Sequence, residues 1–160
     1  MNTDFSAINS MFQANGSVFE RATRGIPDDK WLIQPGGDSN HLLFIAGHIV
    51  VHRAFVPKYL GVEWSAPWAG LFSRGAKRVA PEQYPSVAEI QKAWNEVSEK
   101  LMAVLPSTTA EVLAQPVPKQ RPSLDGTIGG AIGLLCFHET YHVGQMGYLR
   151  KWLGFGQSVG

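Results

Sequence analysis

Five histidines stand in this 160-residue chain. Two of them frame the segment His138-Glu139-Thr140-Tyr141-His142, and the other three, His41, His48 and His52, share one upstream segment. Imidazoles four residues apart leave one face of a helix about one turn apart, where both reach a single metal ion. A Glu beside the first His is the pattern in which zincin metalloproteases place a general base. A catalytic site of this type takes three protein ligands and keeps a further position open. Residues 143–160 contain no His, Asp, Glu or Cys, and Gln145 and Tyr148 stand where the extended zincin pattern wants Gly and His. The third ligand must therefore come from upstream, which argues against a protease.

Spacings of seven and four place His41, His48 and His52 within roughly 40° of one another on a helix, beside Ile45, Phe55 and Tyr59. Downstream, Ala131, Leu134, His138, His142, Gln145 and Leu149 form a similar stripe. A lone His on an apolar face is usually a hydrogen-bonded core residue. Two segments carrying His at ligand spacing favour a shared ion, because a buried imidazole needs a partner and one metal satisfies several. Cys136 lies about 160° around the helix from His138 and reads as a small buried hydrophobe.

Hydrophobic residues make up 44% of the chain, charged residues 17%, and the formal net charge is +1. These values fit a single globular domain over residues 1–160. The basic residues are scattered, which argues against nucleic-acid binding. Apolar stretches are too short to span a membrane. One Cys excludes an internal disulfide and fits a reducing compartment, and the first residues lack the pattern of a signal peptide. A cytoplasmic protein is expected.

The elements that must position the histidines are helical. The first helix is expected over about residues 4–24. The second, over 40–60, is capped by Asp38 or Ser39 and disturbed near its end by Pro57. The third follows the capping box Ser86-Val87-Ala88-Glu89 and stops at Pro106. The fourth runs over 127–154 from an N-cap at Thr127. Gly129, Gly130 and Gly133 near its start suit close approach of another helix, a second subunit's included. Two long connections remain, 62–85 and 110–122. In the first, Trp64, Trp68 and Phe72 either cover one end of the core or line the mouth of a pocket. No strand signal or repeat intervenes, so the expected fold is all-α, a four-helix bundle of up-and-down type with two long connecting loops. His48, His138 and His142 are mid-helix, at matching depth. Axes about 8–10 Å apart let facing imidazoles share one ion at about 2.0–2.1 Å.

The segment Asn40-His-Leu-Leu-Phe-Ile-Ala-Gly47-His48-Ile and the pattern His138-x-x-x-His142-x-Gly144-Gln145 resemble the DinB-like (YfiT-like) family of metal-binding four-helix bundles. The resemblance implies that His48, His138 and His142 bind a divalent ion, zinc or nickel. It also implies thiol-dependent chemistry of the kind some members perform, with a low-molecular-weight thiol as cosubstrate, and a homodimer. His52, Glu139 and Gln145 are the remaining candidates for catalysis. His52 and His41 share the His48 stripe. For both the favoured reading is a pocket-lining or hydrogen-bonded residue; the alternative for one of them, His52 being the better placed, is a fourth ligand or a proton shuttle. Gln145 holds a ligand or orients a substrate. Glu139, rotated about 100° from His138, is better placed to pair with a neighbouring helix than to act as a base.

Two functions of different class follow. One is a metalloenzyme acting on a small molecule, a thiol S-transferase or a hydrolase, in which the metal carries the chemistry. The other is a non-catalytic metal- or ligand-binding module of a stress response, which a closed shell of four ligands would favour.

Overall fold

The computed structural model describes residues 5–118 and 121–158. Helix α1 spans Ser6–Thr23, buries Phe12, Phe19 and Ala22, and leaves through Gly25 in the left-handed region. Its expected start at residue 4 lies outside the described residues.

Helix α2, Leu42–Arg53, departs from expectation at both ends. Its N-cap is His41, whose Nδ1 accepts the Phe44 N–H at 3.0 Å. Neither Asp38 nor Ser39 serves, because the Ser39 hydroxyl is turned back to the Gly36 carbonyl at 2.6 Å. The start is also fixed by Leu43 N–H on the Trp31 carbonyl at 3.1 Å. At the other end the chain breaks at Ala54 into a separate short helix α3, Phe55–Tyr59. Pro57 has no N–H for the Arg53 carbonyl and its ring crowds that turn, so the break falls just before it.

Helix α4, Val87–Val104, opens on the expected capping box. Ser86 Oγ accepts the Glu89 N–H at 3.2 Å, and the Glu89 carboxylate accepts the Ser86 N–H at 2.8 Å. A short helix α5, Ala110–Leu113, precedes the long α6, Ile128–Trp152. Thr127 caps α6 by accepting the Gly130 N–H at 3.0 Å. An isolated bridge, Pro116 with Thr127, ties the preceding loop to this start. Gly129 and Gly130 admit the close approach of this chain's own segments. A Cβ on Gly130 would collide with Asp125 and Ser123, and one on Gly129 would press on Leu113 and Phe5.

No strand is formed among the described residues, and the fold is an all-α bundle. Helix α6 packs on α1 and α2, and α2 packs on α4. Phe19 of α1 stacks on Trp94 of α4 with ring centroids 3.8 Å apart. The core forms two apolar clusters, one around Trp31, Ile49, Trp94 and Met146, the other around Phe12, Leu101, Ile132 and Cys136. Each large side chain so buried contributes about 1.5–3 kcal/mol. Arg53 joins the clusters, its guanidinium lying 4.4 Å from the Trp94 ring and 5.6 Å from the Phe12 ring. No described helix is long and apolar enough to cross a membrane.

Candidate metal centre

Helices α2 and α6 bring His48, His138 and His142 together. Their ligating nitrogens all lie within 4.8 Å of one another. His138 Nε2 stands 3.1 Å from His48 Nε2 and 3.1 Å from His142 Nε2. Two nitrogens bound to one ion at 2.0–2.1 Å are about 3.3 Å apart in a tetrahedron and about 2.9 Å apart at a right angle. The observed spacing falls between these values.

The tautomers are set from behind. His48 Nδ1–H donates to the Phe72 carbonyl at 2.7 Å. His142 Nδ1–H donates to Gln145 Oε1 at 2.7 Å, and Gln145 Nε2–H donates to the Tyr141 hydroxyl at 3.2 Å. A proton on each Nδ1 leaves each Nε2 with a lone pair turned inward. His138 Nδ1 is buried with no partner among the described residues. His48 and His142 both turn acceptor lone pairs toward His138 Nε2, and three inward imidazole nitrogens at this spacing fit a divalent ion.

The environment keeps these rings neutral. Burial pushes His138 down to about 4, with His142 and His48 adding to the effect. Burial also lowers His48, against the Phe72 hydrogen bond that raises it, and lowers His142, against the bond to Gln145. Neutral imidazoles are the form that binds metal.

Local sequence explains the His48 support. Gly47 lets the Phe72 ring lie against α2, because a Cβ there would stand 2.5 Å from that ring. Phe72 is fully buried, and Trp68 packs edge-on to it at 5.1 Å. The loop aromatics therefore cover the core, and in doing so they deliver a carbonyl to His48.

The other candidates divide. His52 lies against two of the three rings, its centroid 4.2 Å from His48 and 4.5 Å from His138, with Nε2 buried and unpartnered among the described residues. The close group of donors comprises the three other histidines and not His52. Burial and the three neighbouring imidazoles lower His52 to about 3. His41 is remote from the group by its role as the cap of α2; its ring sits edge-on to Tyr84 at 5.1 Å, and burial lowers it to about 4. Glu139 points into the core, where its Oε1 accepts from Arg53 Nη1 at 2.6 Å. Burial pushes its carboxyl up, and the Arg53 guanidinium opposes that. Cys136 is buried among apolar residues, which pushes its thiol up to about 11.

Sequence reasoning missed Tyr141 and the Phe72 carbonyl. Tyr141 was findable, since it lies four residues before Gln145 on one face. A backbone carbonyl from a loop leaves no mark in the pattern of side chains.

With this geometry in view, the comparisons are decisive for the family. A family model, that of the DinB superfamily, matches residues 11–146. The chain belongs to the DinB superfamily. The match covers α2 and α6 as far as Met146, and with them the three histidines. No curated protein matches the chain. As a DinB superfamily member with three histidines converging between two helices, it fits a metal-binding helical protein.

Proposed function

We propose that this protein is a divalent-metal-dependent enzyme acting on a small molecule, by transfer of a low-molecular-weight thiol to an electrophile or by hydrolysis. The observation that carries the reading is the convergence of three inward Nε2 atoms, two of them with their Nδ1–H already engaged. A divalent ion, zinc or nickel, supplies Lewis acidity at that point, and an all-imidazole site suits either ion. Three protein donors leave room for a substrate or thiol. His48 and His142 hold their lone pairs inward through the Phe72 carbonyl and Gln145. His52 stands beside the three as the nearest unpaired base. Glu139 takes no part, being paired to Arg53 away from the histidines. The closed-shell alternative, a non-catalytic binding module, would need His52 as a fourth ligand, and His52 is not in the close group.

The same reading makes the protein a cytoplasmic homodimer. On α6, Tyr148 and Trp152, roughly 40° apart around the helix, are exposed by 65 and 44%. Exposed aromatics so placed are of the kind subunits cover.

The test is metal-loaded protein incubated with small thiols and a panel of electrophiles, following thiol loss, and with ester and amide substrates, following hydrolysis. Metal-dependent turnover abolished by His138→Ala supports the enzyme. Absence of both activities at full metal occupancy leaves the binding module.

A further inference from the structure

Two hollows open beside the three histidines. The larger, about 380 Å³, is bounded by His48 and His138 and by the apolar side chains of Leu134, Phe137 and Tyr141. The smaller, about 270 Å³, is bounded by His48 and His142 with Asn40 and Phe44. Arg74 belongs to the wall of both.

Arg74 is held there by the loop that supports His48. Two residues earlier, Phe72 is buried and gives its carbonyl to His48. The chain then turns tightly, with Ala76 N–H on the Ser73 carbonyl at 3.0 Å and Gly75 at φ 79°. Gly at the third position of such a turn permits the positive φ, and Arg74 is carried outward at the second position. Its side chain is exposed and makes no hydrogen bond or ion pair among the described residues. Neither wall includes an Asp or Glu among the described residues. The one carboxylate close in sequence to the ligands, Glu139, is consumed by Arg53. A cation in front of three neutral imidazoles, with no acid to balance it, favours an anionic guest.

We infer that Arg74 binds an anionic group of the substrate, and that the site takes small amphiphilic anions. The apolar body lies against Leu134, Phe137 and Tyr141, and a carboxylate or like group pairs with the guanidinium, whose planar fork suits two oxygens. This inference rests on the metalloenzyme reading of the same site and adds the substrate's class.

The experiment compares 4-phenylbutyrate with its uncharged amide, titrated calorimetrically into metal-loaded wild type and Arg74→Gln. The expected result is that wild type binds the carboxylate about tenfold tighter or more, as one charge-assisted pair allows, and that the difference falls to about twofold or less in Arg74→Gln. Equal binding of the two probes by wild type overturns the assignment. So does a preference that survives in Arg74→Gln, which would mean that the metal reads the anion. Metal content measured on the same samples separates the two claims. Wild type that holds metal and shows no preference sinks the Arg74 assignment alone. Wild type that takes up no metal sinks the metalloenzyme reading, and the titrations still decide Arg74.

Discussion

Arg53 Nη1 and Glu139 Oε1 lie 2.6 Å apart, with both side chains at most 3% exposed. Glu139 is the Glu of the His-Glu-x-x-His segment, and this pair turns it away from the histidines on either side of it. The pair also fastens the end of α2 to the middle of α6, five residues beyond His48 on one helix and next to His138 on the other. Removing one partner leaves a buried charge alone. Glu139→Ala is therefore expected to lose about 3–5 kcal/mol of stability in denaturant unfolding. Its folded fraction should still bind metal with near wild-type affinity. A variant of normal stability that had lost only activity would contradict this placement and restore Glu139 as a base.

The support behind the ligands is testable separately from the ligands. Gln145→Ala removes the acceptor of His142 Nδ1–H. Loss of such a partner typically weakens metal binding about 10–100-fold. Competition against a chelator of known affinity measures it, and an unchanged affinity would show that Gln145 does not hold the ring.

Gly47→Ala acts on the other side. The added methyl group must displace the Phe72 ring. Overpacking of this kind costs about 1–3 kcal/mol. Because Phe72 carries the carbonyl that fixes His48, metal affinity should fall together with stability. A Gly47→Ala protein at least as stable as wild type, with intact metal binding, would mean that the contact yields freely.

The lowered histidines set a pH dependence with a definite sign. In the metal-free protein His138 stays neutral down to about 4 and His52 to about 3, whereas in the unfolded chain both titrate near 6.5. Between those values the unfolded chain binds more protons, so stability rises with pH across the window. The contribution is complete above about 6.5 and is lost as pH falls toward 4. Metal binding follows the same order, because burial holds the three ligand rings below the usual imidazole range, His138 down to about 4. Zinc affinity should fall less between about pH 7.5 and pH 6 than a site of three ordinary imidazoles would allow. A steep loss centred near 6.5 would show that the rings are not shielded.

Much of this was legible in the chain. The stripe of His138, His142 and Gln145 needed only helical periodicity, and α6 is long and strongly capped, so the pattern survives folding. The capping box at Ser86 and the cap at Thr127 are local features, and local chemistry decides them. His41 was misplaced because its seven-residue spacing to His48 presumes an unbroken helix. The helix starts one residue after His41, where Leu43 N–H meets the Trp31 carbonyl, a contact between distant segments. Pro57 marked the end of α2 correctly in kind, and its effect reaches back to Ala54 through the carbonyl it cannot satisfy. Arg74 and the Phe72 carbonyl were invisible as site elements, because their positions depend on how a 24-residue connection folds over α2, which no periodicity encodes.

The most direct test of the central claim is metal content by mass spectrometry on tag-free protein after reconstitution with zinc or nickel, for wild type beside His48→Ala. The account predicts about one equivalent in wild type and its loss in His48→Ala, since a ligand is missing from a three-donor site. Wild type without metal, or His48→Ala with a full equivalent, would contradict a centre shared between α2 and α6.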